Sequence, residues 1–117
     1  HDELIADVQT HLNRDLRATP AMSALATQLG VSPRTLIRRF KSATGVSIGR
    51  YLQQRRLDEA QALLRRTNLS ITEVGAAVGL HDASHFSRMF REQTGLTPSA
   101  FRAAVRNKSF AATGSPH

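Results

Sequence analysis

A length of 117 residues suffices for one small domain with a modest core. The chain carries 16 Lys plus Arg against 9 Asp plus Glu, a formal charge of +7, so a polyanion is the expected partner. The absence of cysteine excludes a disulfide framework and a thiolate metal site. No apolar run approaches the roughly 20 residues of a membrane span, and the acidic start HDELIADVQ does not resemble a signal peptide. We therefore expect a soluble, cytoplasmic protein without a membrane partner.

Near the start of the chain, the pattern predicts two helices and a tight turn. The first is a packing helix, whose apolar residues recur at helical spacing: Leu4, Ile5, Val8 and Leu12. Thr19 and Pro20 are expected to be the N-cap and first-turn proline of a short second helix, which Gly30 ends. Ser32 and Pro33 then begin a third helix. Helix, three-residue turn, helix is the arrangement of DNA-binding helix-turn-helix units.

The third predicted helix, in SPRTLIRRFKSATG, returns later in the chain as DASHFSRMFREQTG. Phe40 and Phe90 are 50 positions apart, whereas the glycines ahead of the two helices, Gly30 and Gly79, are 49 apart. The chain is therefore a duplicated unit with one residue inserted. In each copy two large apolar residues lie four apart and define a buried face: Leu36 and Phe40, then Phe86 and Phe90.

The predicted outward face of the first copy is cationic. Arg34, Arg38 and Lys41 come out opposite Leu36 on a helical wheel. Residues 30–66 contain nine cations and two acids, whereas residues 70–106 contain four cations and three acids. We therefore expect the first copy to carry more of the electrostatic attraction.

The remaining helices complete an all-α chain. A long helix from about Ile48 to Arg66 is the predicted linker, and Ser70 opens the next helix with a capping box. Past Arg106 the sequence has no periodicity and predicts a flexible tail. The expected organisation is a first helix-turn-helix subdomain at 1–46, a linker helix at 47–66, a second subdomain at 67–106 and a tail at 107–117.

The residues resemble a known family over most of their length. The matching pieces are LATQLGVSPRTLIRRF, RLDEAQALL and VGLHDASHFSRMFREQTGLTPSAFR. They resemble the DNA-binding domain of the AraC/XylS family of bacterial transcription regulators, and LGVSPRTLIRRF resembles the members with a class I glutamine amidotransferase-like partner domain. The resemblance implies about seven helices, with two tandem helix-turn-helix subdomains joined by a long linker helix. It also implies two recognition helices that enter successive major grooves on one side of bent DNA.

Carried over by position, the resemblance assigns two groups of DNA contacts. The expected base-reading residues are Arg34, Thr35, Ile37, Arg38, Ala83, Ser84, Ser87 and Arg88. Arginine suits this role independently, because it donates two hydrogen bonds to guanine O6 and N7. The candidates for phosphate contacts or packing are Arg39, Lys41, Arg50, Arg55, His85 and Arg91.

Two residues carry structural expectations of their own. Gly75 stands where the first copy has Ala26, and a glycine inside a helix costs roughly 0.5–1 kcal/mol unless close packing requires it. Arg56 lies in the apolar stripe of the linker, so we expect a structural arginine that pairs with a carboxylate such as Glu73, in preference to a DNA contact.

Other functional readings compete with double-stranded DNA binding. The duplicated helices could form a protein-interaction module that docks on an acidic partner, with RNA polymerase as a candidate partner. His81 and His85 lie four apart but have no third ligand nearby, so we assign no metal site. No arrangement supports catalysis or a cofactor. The isolated domain is expected to be monomeric, with dimerisation through a sensor domain that these residues are too few to include.

Overall fold

The computed structural model describes residues 2–114, with side chains for residues 2–107. These residues form seven α-helices and no strand. The helices are α1 (Glu3–Arg14), α2 (Met22–Gln28), α3 (Pro33–Thr44), α4 (Ile48–Arg66), α5 (Ile71–Ala77), α6 (Ala83–Thr94) and α7 (Pro98–Gly114). The prediction of an all-α chain with about seven helices is confirmed. The chain divides into two compact units between Arg56 and Leu57.

The core of the first unit is built around the buried face of α3. Leu36 and Phe40 are both fully buried, as their spacing predicted. They pack with apolar residues of α1, α2 and the start of α4: Ile5, Val8, Leu12, Leu25, Ala26, Ile48 and Leu52. The ring of Tyr51 meets that of Phe40 edge to face, with 5.5 Å between centroids. This packing fixes which face of α3 points outward.

The second unit repeats the plan with larger side chains. Phe86 and Phe90 of α6 are buried, as predicted, and so is Met89. Their partners come from α4, α5 and the following turn: Leu57, Ala60, Leu64, Val74, Val78 and Leu80. Phe101 of α7 meets Phe90 edge to face at 5.3 Å. The outward face of α6 is fixed in the same way as that of α3.

Helix α4 has the predicted bounds, Ile48–Arg66, but it is more than a linker. Ile48 and Leu52 belong to the first core, and Leu57, Ala60 and Leu64 belong to the second. The division between the compact units therefore falls inside this helix rather than at its ends. Each half of α4 helps to position one helix of its own unit, α3 in the first and α6 in the second.

The start of α2 differs from the sequence prediction. The helix begins at Met22 with Ala21 as N-cap, and no side chain caps it. Thr19 does not cap the helix because its hydroxyl accepts a hydrogen bond from the guanidinium of Arg56, at 2.9 Å. A long-range contact has replaced the local one that the Thr-Pro pair predicted.

The expected pairing of Arg56 with a carboxylate is wrong. Its guanidinium donates to the carbonyl oxygens of Leu16 (2.6 Å) and Ala18 (3.3 Å) as well as to Thr19. Arg56 is only 8% exposed, and burial lowers the pKa of its guanidinium from the ordinary value. Glu73 instead completes the capping box of α5, accepting from the Ser70 N–H at 2.8 Å. Carbonyl groups of a loop satisfy the buried charge without an ion pair.

Close packing does require glycine at position 75. A Cβ there would lie 2.6 Å from the Leu80 carbonyl oxygen and 3.0 Å from Cδ2 of Phe86. The Gly75 carbonyl also accepts from the Leu80 N–H at 2.7 Å, which closes the turn onto the helix. The glycine lets the turn and α6 approach α5.

The last helix ends later than predicted. The sequence indicated an end near Arg106, but α7 continues to Gly114, into the segment expected to be a flexible tail. Ala111 and Ala112 favour helix, and neither proline nor glycine interrupts residues 99–113. Residues 115–117 of the predicted tail lie outside the described residues.

Candidate nucleic-acid interface

A glycine turn and a serine cap set the start of α3. Gly30 has a φ of 76°, which L side chains rarely adopt, and the next N–H, of Val31, donates to the Ala26 carbonyl at 3.0 Å. The Ser32 hydroxyl then accepts from the Thr35 N–H at 3.1 Å. These contacts fix the start of α3, the helix that carries the outward cations.

The outward face of α3 is cationic. Arg34, Arg38 and Lys41 are exposed, as the helical wheel predicted. The helix sequence PRTLIRRFKSAT contains no acid, so nothing within α3 neutralises these charges. Ile37 lies on the same side of the helix and is 48% exposed. We call Arg34, Ile37, Arg38 and Lys41 the α3 face.

Two candidates on α3 are already engaged. The side-chain oxygen of Thr35 accepts from the Ser32 hydroxyl at 2.9 Å, and Thr35 is only partly exposed. Arg39 donates to both carboxylate oxygens of Asp2 at 2.8 Å. This hydrogen-bonded pair lowers the pKa of the Asp2 carboxyl. Arg39 thus fastens the start of α1 to α3, which supports packing, one of the two roles that the sequence left open.

The two candidates on α4 differ in the same way. Arg50 is exposed, in the first turn of a helix whose start is capped by the Ser47 hydroxyl, which accepts from the Arg50 N–H at 3.1 Å. Arg55 is half-buried and donates to the side-chain oxygen of Asn13 at 2.9 Å. Arg50 is therefore the more available of the two for a phosphate.

In the second unit, Asp82 does for α6 what Ser32 does for α3. Its carboxylate accepts from the His85 N–H at 3.0 Å, and this bond lowers the pKa of the carboxyl. Beyond the cap, Ala83, Ser84 and Arg88 are exposed and Ser87 is half-buried. The sequence therefore identified side chains that do reach the surface of α6.

An open groove of about 590 Å³ runs along this side of α6. Its lining combines predicted site residues with two that the prediction omitted, Glu92 and Thr97: Ser84, Ser87, Arg88, Arg91, Glu92 and Thr97. Arg91 is exposed, and so is His85 one turn from the cap. Because Glu92 brings a negative charge to the surface, this groove is less cationic than the α3 face. The nearest signal in the sequence was the smaller excess of cations in the second copy, four cations against three acids in residues 70–106.

A second feature absent from the sequence reading is an apolar cavity beside α3. It has a volume of about 320 Å³ and is lined mainly by apolar side chains of the first unit, among them Pro20, Met22, Ile37 and Leu52. The sequence contained one indication of this cavity, because Ile37 is an isoleucine outside the buried stripe of its helix.

Two other kinds of site find no support in residues 2–107. Within this range there is no group of three His, Cys, Asp or Glu side chains that could hold a metal ion, and both His81 and His85 are exposed. Among the helices described, none is both long and apolar enough to cross a bilayer.

Solved structures resemble this chain closely. The crystal structure of the DNA-binding domain of AdpA, the global transcriptional factor, in complex with a target DNA, is 33% identical. It superposes with a TM-score of 0.81 over 89% of this chain and 94% of that one. A transcriptional regulator from Chromobacterium violaceum, described by its AraC-type DNA-binding domain, is 30% identical, with a TM-score of 0.80 over 86% of this chain and 90% of that one.

Curated sequences agree. The HTH-type transcriptional activator RhaR of Salmonella dublin is 36% identical over 101 residues, which make up 86% of this chain and 36% of RhaR. The chain thus spans about a third of the length of such relatives. A family model described as a helix-turn-helix domain matches residues 25–104. With two helix-turn-helix units built on α2–α3 and α5–α6, this chain belongs to the AraC/XylS family of DNA-binding domains.

Proposed function

We propose that this domain binds a specific site in double-stranded DNA and thereby regulates transcription, with α3 and α6 as recognition helices in successive major grooves. The observation that carries the proposal is the α3 face, which exposes three cations and no acid on a helix held by two buried side chains, Leu36 and Phe40. A major groove admits an α-helix and places phosphates on both sides of it.

Base reading rests first on arginine. Arg34 and Arg38 on α3 and Arg88 on α6 are exposed and long enough to donate two hydrogen bonds to a guanine, each such pair discriminating by about 1–3 kcal/mol. The shorter side chains complete the proposed reading set: Thr35, Ile37, Ala83, Ser84 and Ser87.

Phosphate contacts are proposed for the exposed cations at the margins of these helices: Lys41, Arg50 and Arg91. They would fix the position of the domain without reading sequence. Arg39, Arg55 and His85 remain candidates, but the contacts of Arg39 with Asp2 and of Arg55 with Asn13 favour a share in packing.

The relatives support the wider role. AdpA is a transcriptional factor whose DNA-binding domain is described in complex with a target DNA, and RhaR is described as a transcriptional activator. By analogy we propose an activator that works in the bacterial cytoplasm, with RNA polymerase as a partner. The domain alone is proposed to be monomeric, and the glutamine amidotransferase-like partner domain stays a prediction.

The test is selection of bound duplexes from a random pool at about 150 mM salt, where purely electrostatic binding is weakened. Because the two units are arranged in tandem along the chain, the expected result is a non-palindromic motif. Its two blocks should lie about one DNA turn, roughly 34 Å, apart. A single block would overturn the role of one helix as a reader. No enrichment would overturn the function and favour a protein-interaction module.

A matched control separates the α3 face from net charge. Arg38→Ala and Arg66→Ala each remove one positive charge, but Arg66 lies at the end of α4, outside the proposed interface. Selection with Arg66→Ala should return the wild-type motif, whereas Arg38→Ala should lose the preference at one position. If both variants returned the same motif, the reading role of Arg38 would be wrong.

A further inference from the structure

Most large apolar side chains of this protein are at least partly buried, but Ile37 is exposed. Among the described side chains only Ile37, at 48%, and Leu96, at 40%, are exposed large hydrophobics. Leu96 lies in the loop after α6, whereas Ile37 lies within a recognition helix. The exposed part of this isoleucine is in position to contact an apolar group of a ligand.

The neighbours of Ile37 restrict what that ligand can be. One side of the isoleucine lines the apolar cavity with Met22 and Leu52. The exposed remainder shares the α3 face with the cations Arg34, Arg38 and Lys41. An apolar protein surface that covered Ile37 would have to strip water from these charges without pairing them, which is costly. The ligand must therefore offer an isolated apolar group within an anionic surface.

The major groove of DNA has this combination. Between its acceptor and donor edges it presents one apolar group, the C5 methyl of thymine, and a methylated cytosine presents a methyl at the same ring position. Phosphates and guanine acceptors beside it would pair the neighbouring cations. Because isoleucine is β-branched, its side chain is stiff and loses little entropy on contact.

We propose that Ile37 selects a pyrimidine carrying a C5 methyl group, at a base pair next to the one read by Arg38. This inference rests on the proposed function, since it assumes that α3 lies in a major groove. The equivalent residue of the second unit, 50 positions on, is Ser87, whose hydroxyl offers no matching apolar contact. The contact proposed for Ile37 therefore has no counterpart at the corresponding position of α6.

The test uses the duplex recovered by selection and replaces each thymine in turn by deoxyuridine, which removes only the methyl group. Wild-type protein should lose roughly three- to fivefold in affinity at one position in the block read by α3, as burial of one methyl group predicts. Ile37→Ser should bind the thymine and deoxyuridine duplexes equally at that position. Substitutions under α6 should give the same ratio with both proteins.

Two further duplexes distinguish the sources of the methyl group. They carry cytosine or 5-methylcytosine at the same position, opposite guanine. An equal gain from 5-methylcytosine would mean that Ile37 accepts either methylated pyrimidine, as proposed. No gain would overturn that part of the proposal and restrict the contact to thymine.

The inference can fail while the function stands. If a specific duplex is enriched but no thymine replacement lowers affinity more for wild type than for Ile37→Ser, Ile37 does not read a methyl group. If no duplex is enriched, the proposed function itself has failed. Because Ile37 is half-exposed, Ile37→Ser should fold, and its thermal midpoint checks this; Ile37→Val, which keeps a branched apolar surface, should retain part of the ratio.

Discussion

In the first unit, Arg56 donates to the Ala18 carbonyl and the Thr19 hydroxyl, and in the second unit Arg106 donates to the Thr67 carbonyl and the Asn68 side chain. The two arginines are 50 positions apart, and their acceptors are 49 apart, which are the two offsets of the duplication. Each arginine ties a helix to the loop ahead of its helix-turn-helix. The second unit adds Arg102, which donates to the Thr67 carbonyl at 3.2 Å.

The ends of the recognition helices are equally alike. The Thr44 hydroxyl donates to the Phe40 carbonyl at 2.8 Å and accepts from the Val46 N–H at 3.2 Å. Thr94 makes the corresponding contacts with Phe90 and Leu96 at the same distances. The contacts that fasten each helix have thus been kept on both sides of the duplication.

The outward faces, in contrast, have diverged. Position by position, Arg34 and Ile37 of α3 correspond to Ser84 and Ser87 of α6, and only the arginines Arg38 and Arg88 agree. Because the outward side chains contribute little to the cores, they can change without loss of the fold. The side chains that hold each unit together have thus been kept, whereas those that would give it a DNA preference have changed.

We expect the largest loss of stability when one of the two corresponding arginines, Arg56, is removed. Arg56→Ala removes a nearly buried guanidinium and leaves the Leu16 and Ala18 carbonyls without this donor, so we expect a loss of about 2–4 kcal/mol in the free energy of unfolding. Urea unfolding measures it. Arg56→Lys should recover only part, because an ammonium cannot reproduce the planar fork of donors.

The matched variant is Arg106→Ala. Arg106 is exposed, so water can replace it and the expected loss is only about 0.5–1 kcal/mol. If the two alanine variants were equally stable, burial would not decide how much these corresponding hydrogen bonds contribute to stability.

We expect the next largest loss of stability at Gly75, where the second unit is closely packed. By helix propensity alone, Gly75→Ala should stabilise α5, but the added Cβ would meet the Leu80 carbonyl and Phe86. We expect a loss of about 1–3 kcal/mol. Gly49→Ala is the control, because nothing lies within 4 Å of a Cβ added to that helical glycine, so it should gain about 0.5–1 kcal/mol. A stabilised Gly75→Ala variant would contradict the close approach.

Some parts of this fold could be predicted from the sequence and others could not. The bounds of α4 and the buried faces of α3 and α6 follow from apolar spacing, which is a local property, and the structure agrees. The partner of Arg56 could not be found this way, because its acceptors are backbone carbonyls about 40 residues away, and carbonyls leave no mark in a sequence. The same contact removed Thr19 from its predicted capping role.

For the candidate interface, the helical wheel predicted correctly that Arg34, Arg38 and Lys41 are exposed. The sequence could not show which arginines form an ion pair with a carboxylate from another helix or its cap. Arg38 and Arg39 are adjacent in sequence, and only the fold brings Asp2 within 2.8 Å of Arg39. Whether these exposed side chains contact bases stays a prediction.

The next expected effects concern DNA binding by two cations of the α3 face. Arg38→Ala should relax the preference at one base pair by about 1–3 kcal/mol. Lys41→Ala should weaken all sequences alike and reduce the slope of log affinity against log salt by about 1. Binding titrations of matched and mismatched duplexes at several salt concentrations measure both. Equal losses on every duplex for both variants would remove the distinction between reading and positioning.

The smallest effect concerns the helix caps, which differ in charge. Ser32 caps α3 without titrating, whereas Asp82 caps α6 with a carboxylate whose pKa is lowered from 3.8 by its hydrogen bond from the His85 N–H. A carboxyl with a lower pKa in the folded than in the unfolded state stabilises the fold above the unfolded value, and this contribution is lost as pH falls through the folded pKa. The cap of α6 should therefore weaken in acid while that of α3 does not.

The variant Asp82→Ser gives α6 the cap of α3 and isolates this contribution. Near pH 7 the variant should fold with little change, because serine is also a good N-cap. Between about pH 5 and pH 2.5, wild type should lose more stability than Asp82→Ser, since the variant lacks the titrating cap. The carboxyls of Asp2 and Glu73, whose pKa values are also lowered, titrate in both proteins, so their contribution cancels in the difference. Parallel curves of unfolding midpoint against pH would mean that the Asp82 carboxylate adds nothing that a serine hydroxyl does not.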